Sequence, residues 1–98
     1  MIEITDEQRE VLKLAIEICG EENQIDKAIE EMAELTQALL KYRHERKSPS
    51  EIYANVVEEI ADVRIMIEQM AIIHVDGAVK EKVDYKIDRL AQRLHGEV

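Results

Sequence analysis

Two short acidic segments carry the chemistry this sequence offers. Glu30-Glu31-Met32-Ala33-Glu34 and Glu58-Glu59-Ile60-Ala61-Asp62 match position by position in chemical type, and the match extends to Ile29 with Val57 and to Leu35 with Val63. A helix turns by about 100° per residue, so acids three apart share a face: Glu31 with Glu34, and Glu59 with Asp62. Each pair lies at the same offset from an apolar neighbour, Met32 in one copy and Ile60 in the other. If the two helices pack as an antiparallel hairpin through their apolar stripes, a local two-fold brings four carboxylates to one edge of the seam. Charges so crowded repel. Protonation, with raised carboxylate pKa values, relieves the repulsion, but a hard cation that takes oxygen ligands, Mg²⁺ or in its place Mn²⁺, is the commoner solution. A single Glu-x-x-Glu on an amphipathic helix is usually only a solvated face. The repetition at equal phase is what singles out this pair.

The elements that would position these groups read as four helices. Thr5 or Asp6 caps the first, since Thr5-Asp6-Glu7-Gln8 has the capping-box spacing, and Gly20 ends it after Val11, Leu12, Leu14, Ala15, Ile16, Ile18 and Cys19. Asn23 is expected to cap the second helix, whose stripe is Ile25, Ala28, Ile29, Met32, Leu35 and Leu39. Ser48-Pro49-Ser50-Glu51 places a cap residue before a proline, so a third helix should start after a very short loop and make the hairpin. Ile52, Val56, Ile60, Val63, Ile67 and Met70 form its stripe up to a turn expected at Asp76-Gly77. Val79, Val83, Ile87, Leu90, Ala91 and Leu94 then mark a fourth helix, which frays at Gly96.

Composition agrees with this reading. The 98 residues bound one domain, residues 1–98. Charged residues reach 36%, with three glycines, one proline and neither Phe nor Trp, a balance that favours an all-α four-helix bundle over a small β-fold. A net charge of −9 argues against a nucleic-acid partner, and any phosphate ligand would need a metal escort. The single cysteine, Cys19, cannot form an internal disulfide and is expected to pack in the first helix, which fits a cytoplasmic protein. An acidic N-terminal stretch and the lack of an apolar run near 20 residues predict neither export nor membrane insertion.

From about Gln24 to Arg89 the sequence resembles the all-α nucleoside triphosphate pyrophosphohydrolases of the MazG-like family, on the strength of Glu30-Glu31-x-x-Glu34 followed by Glu58-Glu59-x-x-Asp62. Lys27, three residues before the first motif, and Lys82-x-x-x-Lys86-x-x-Arg89 add to the likeness. Many relatives have Asn where Lys86 stands. The resemblance implies a four-helix MazG-like bundle and Mg²⁺-dependent hydrolysis of NTPs or dNTPs to the monophosphate and pyrophosphate, in the service of nucleotide-pool house-cleaning. It implies that Glu31, Glu34, Glu59 and Asp62 hold the metal, with one of them, Glu30 or Glu58 accepting a proton from water. Lys82, Lys86 and Arg89 would form a basic ridge on helix four toward the β and γ phosphates. The same ridge also suits a solvated face. Lys27 can either meet substrate or pair with Glu31 four residues on, and Asn55 lies one turn before Glu59 as a hydrogen-bonding neighbour.

Other chemistries find no support. His44, His74 and His95 lack the Glu-x-x-His spacing of four-helix di-iron proteins, and no P-loop motif occurs. The basic stretch Lys41 to Lys47 suits a helix C-terminus. Apolar surface on helices one and three exceeds what one hairpin covers, so a homodimer or dimer of dimers is expected, with a second subunit available to complete the nucleotide pocket. Two alternatives keep the bundle but not the enzyme: a non-catalytic interaction module with a metal-dependent acidic site, and a structural bundle that binds no metal.

Overall fold

A computed structural model describes residues 3–44 and 50–96. These form four α-helices, α1 (Asp6–Cys19), α2 (Glu21–His44), α3 (Ser50–Ile73) and α4 (Asp76–Gly96), with no strand among the described residues. No helix is long and apolar enough to cross a membrane among those residues. The expected Ser48-Pro49 start lies outside the described residues, which resume at Ser50.

The first helix starts as its sequence dictates. Thr5 Oγ1 accepts from the Gln8 N–H at 3.1 Å, and Gln8 Oε1 accepts from the Thr5 N–H at 2.9 Å, a complete capping box. At the other end Gly20 takes φ +91°, ψ 147°, a conformation that costs a side-chain-bearing residue of order 1–3 kcal/mol. Its N–H donates to Ile16 O at 2.8 Å and its own carbonyl accepts from Gln24 N–H at 3.1 Å, so one residue closes α1 and opens α2. Asn23 therefore does not cap α2. It sits within the first turn, where its Nδ2 donates to Cys19 O at 2.8 Å and satisfies a terminal carbonyl of α1.

The turn between α3 and α4 falls earlier than Asp76-Gly77. Met70 O accepts from His74 N–H at 2.9 Å, Val75 breaks the helix, and its carbonyl accepts from Ala78 N–H at 3.0 Å, so that Asp76 and Gly77 are already helical. Val75 takes φ +66° while its side chain is 71% exposed. A left-handed conformation costs an L-residue about 1–2 kcal/mol, and so exposed a β-branched side chain recovers little of it by packing. Val75→Asn is expected to raise the thermal midpoint by about 4–8 °C, read by calorimetry; an unchanged or lower midpoint would contradict the strain.

The principal contact is between α2 and α3, with α1 resting on both and α4, among the described helices, on α3. The buried residues are Gln24, Ala28, Glu31 and Ala38 of α2 and Val56, Met66, Gln69 and Ala71 of α3, whereas α1 has none. The packed face keeps part of the stripe that hydrophobicity predicts, with Ala28 and Val56 buried and Ile25, Leu35, Ile52, Val63 and Met70 part-buried, but it is shifted toward Gln24, Glu31 and Gln69. Ile29, Met32 and Leu39 of α2 and Ile60 and Ile67 of α3 are all more than 40% exposed. Small residues at Ala28 and Ala38 let the helices close on the Glu31 line. Met32 lies about 100° around the helix from Glu31, and Ile60 the same from Glu59, so turning the acids inward turns these apolar residues outward.

The chain is correspondingly open. Its surface is 7978 Å² against about 5,700 Å² for a folded monomer of 11.3 kDa. Its radius of gyration is 16.3 Å, where about 12.6 Å is usual for this length.

Candidate metal centre

Three acids from two helices meet in the α2–α3 contact. One carboxylate oxygen from each of Glu31, Glu34 and Glu59 lies within 4.8 Å of the other two. Glu31 and Glu34 come from one face of α2 and Glu59 from α3, so the cluster exists only because the two repeats pack together. Glu31 is 8% exposed, Glu59 is half-buried and Glu34 is exposed, which gives the cluster a buried floor and an open side.

The floor is short of partners. Lys27 Nζ stands 3.5 Å from Glu31 Oε1, as the i, i+4 spacing predicts, but Glu31 Oε2 and Glu59 Oε2 are buried with no hydrogen bond. The lysine is more than half exposed, so its pairing is weak and leaves the charge of the cluster largely in place. Loss of hydration on burial pushes the Glu59 carboxyl above its ordinary pKa of 4.5, and the charges of Glu34, Asp62, Glu31 and Glu58 push in the same direction.

A hard cation fits this donor set. All the donors are oxygens, two of the buried ones lack any partner, and the charges around Glu59 are of one sign. The three oxygens lie within 4.8 Å of one another, close enough for one such ion to be held by all three residues.

The remaining expected residues are placed less tightly. Asp62 is exposed and outside the three-acid group, although its charge acts on Glu59. Asn55 is exposed on α3, one turn before Glu59. Lys82, Lys86 and Arg89 lie on α4, and none forms an ion pair with the four carboxylates among the described residues. Lys82 Nζ and Arg89 Cζ instead lie 5.9 and 5.7 Å from the centre of the Tyr85 ring. Tyr85 and the buried amide of Gln69 were not apparent from motif spacing. The signals for them were the placement of Tyr85 between two cations at helical spacing and a lone Gln within the apolar run of α3.

Comparison with known proteins identifies no relative: the chain matches no protein-family model, no curated protein and no solved structure.

Proposed function

We propose that this chain is a MazG-like, Mg²⁺-dependent nucleoside triphosphate pyrophosphohydrolase, acting on NTPs or dNTPs, with α2 and α3 as its antiparallel hairpin. The observation that carries this reading is the meeting of Glu31, Glu34 and Glu59, with two buried oxygens left without partners. The order of contacts supports the hairpin: Tyr42 meets Tyr53 at 6.2 Å between ring centres near one end, and Glu31 meets Glu59 farther along.

Glu31, Glu34 and Glu59 would hold the ion, with Asp62 at the rim. Bound there, Mg²⁺ or Mn²⁺ neutralises phosphate charge and acidifies a coordinated water. One carboxylate, a member of the cluster or its sequence neighbour Glu30 or Glu58, would accept the proton as water attacks and the α–β phosphoanhydride bond breaks. One water is consumed, and the monophosphate and pyrophosphate leave. Lys27 steadies Glu31, and Asn55 offers an amide one turn from Glu59. The test is a Mg²⁺-dependent screen of canonical and modified NTPs and dNTPs with both products identified. Monophosphate and pyrophosphate are expected; diphosphate and phosphate, or no turnover, would refute the assignment.

The partner in this account is a second copy of the chain. The surface excess of about 2,200 Å² per chain over a compact monomer, about 4,400 Å² for two copies, falls in the range of obligate homodimer interfaces, and Met32, Ile60 and Ile67 stand exposed beside the seam. A homodimer or dimer of dimers would cover them and let the basic ridge of α4, which among the described helices rests on α3, reach the β and γ phosphates across the assembly. Light scattering should show an oligomer that Ile60→Glu dissociates; a monomeric wild type would contradict this.

A second reading keeps the ion without the reaction. Glu31 and Glu59 lie in the main helix contact, a position from which a bound cation would join α2 to α3 in a non-catalytic interaction module. Turnover separates the two.

A further inference from the structure

We propose that α4 is an arm that packs on a second copy of the chain, laying its apolar stripe on the side of that copy's α2–α3 pair where Met32, Ile60 and Ile67 stand exposed. This exchange rests on the homo-oligomer of the proposed function and is indifferent to the reaction.

The shape of the chain singles out α4. Its principal extents are 42 × 39 × 23 Å, and its longest helices, of 24 residues, run about 36 Å. Helices laid side by side stand about 8–10 Å apart, so a second extent of nearly 40 Å requires one that points away from the rest. That helix is α4, which among the described helices touches α3 and has no residue buried among those described. Only His74 and Val75 join it to α3, and the left-handed φ of +66° at Val75 sets its direction.

The projecting helix is not built for water. At about 100° per residue, Val79, Val83, Ile87, Leu90 and Leu94 fall within about 80° of one another, yet they are 36–61% exposed. Lys82, Lys86, Arg89 and Arg93 form a stripe of similar width beside them, and Glu81, Asp84 and Asp88 occupy the far side. Two copies carry about 4,400 Å² of surface beyond that of two compact monomers, and an uncovered projecting helix is a source of such an excess.

Charge selects the occupant. Together α2 and α3 carry eleven Asp and Glu against four Lys and Arg, so the pair in a second copy meets the basic stripe with opposite charge while its exposed Met32, Ile60 and Ile67 meet the apolar one. An antiparallel second α4 would set Lys86 and Arg93 against their own copies, like against like.

The test is subunit mixing, read by light scattering at matched concentrations, with circular dichroism as the check on folding. Wild type should be an oligomer. The arm variant Ile87→Glu/Leu90→Glu should be a helical monomer, as should Ile60→Glu, which spoils the receiving face. Mixed one to one, the two variants should form a dimer with one chain of each, because the intact arm of the Ile60→Glu chain still finds the intact face of the other. If the glutamates unfold the arm variant, Ile87→Ala/Leu90→Ala carries the comparison, with a dissociation constant raised more than about thirtyfold. An arm variant that assembles like wild type would mean that the α2–α3 faces meet each other, and an Ile60→Glu chain that assembles would mean that α4 meets α4. Either result, or a mixture that stays monomeric, overturns the exchange and leaves the pyrophosphohydrolase reading standing. A monomeric wild type removes the homo-oligomer as well.

Discussion

Glu59→Gln is expected to lower kcat/KM for pyrophosphate release by more than about a hundredfold. Changes to groups that only support a metal ligand already cost about 10- to 100-fold, and Glu59 is placed to be a ligand itself. It is the only α3 member of the three-acid cluster and has an oxygen with no other partner. The amide is nearly isosteric, so α2–α3 packing survives and the loss reports on charge. Glu31→Gln should cost as much from the α2 side. Lys27→Ala, which removes a half-exposed ion pair, should change the rate no more than a few-fold. Initial rates of pyrophosphate release at saturating Mg²⁺ decide this, and wild-type rates from Glu59→Gln would contradict the assignment.

Mg²⁺ should also stabilise the fold, and by an amount that depends on pH. A ligand present at a hundred times its dissociation constant adds about 2.7 kcal/mol, which moves the midpoint of a domain of this size by about 10 °C or more. Burial and like charge raise the Glu59 carboxyl above its ordinary 4.5 in the folded state, so the folded chain binds this proton more tightly than the unfolded chain. Without metal, ionisation of Glu59 therefore opposes folding, and its contribution to stability falls as pH rises from 4.5 through the raised folded value. Metal competes with that proton, so the gain from Mg²⁺ should grow over the same interval and level off above it. Glu59→Gln should flatten both dependences and melt higher than wild type in chelator at neutral pH. Calorimetry with Mg²⁺ and with chelator across pH 4–8 reads all of this, and a midpoint indifferent to Mg²⁺ would leave a structural bundle as the better account.

The four helices were legible because their signals are local. Thr5 and Gln8 cap each other within four residues, Gly20 supplies a backbone conformation that other residues resist, and helical spacing holds throughout. The acidic repeat was legible for a related reason: equal phase on two adjacent helices carries the acids to one place if the helices pair. Hydrophobic periodicity misled on rotation. It placed Ala28 and Val56 on the packed face, where they are buried, but also Met32 and Ile60, which stand exposed while Gln24, Glu31 and Ala38 are buried instead. Periodicity reports which residues leave water and not what covers them, and in an oligomer a second copy can be that cover. The turn at Val75 was missed because turn chemistry points to Asp76-Gly77, while a valine at positive φ has no sequence signature. Asp62 lay beyond reach as well, since a shared face fixes direction but not whether side-chain oxygens meet.

The most direct test of the account is a crystal structure with Mn²⁺, with the ion located by its anomalous scattering. One or more peaks within about 2.2 Å of oxygens from Glu31, Glu34 and Glu59 together are expected, so that α2 and α3 both contribute ligands. A peak held by one helix alone, or no peak at these three side chains at millimolar Mn²⁺, would contradict it.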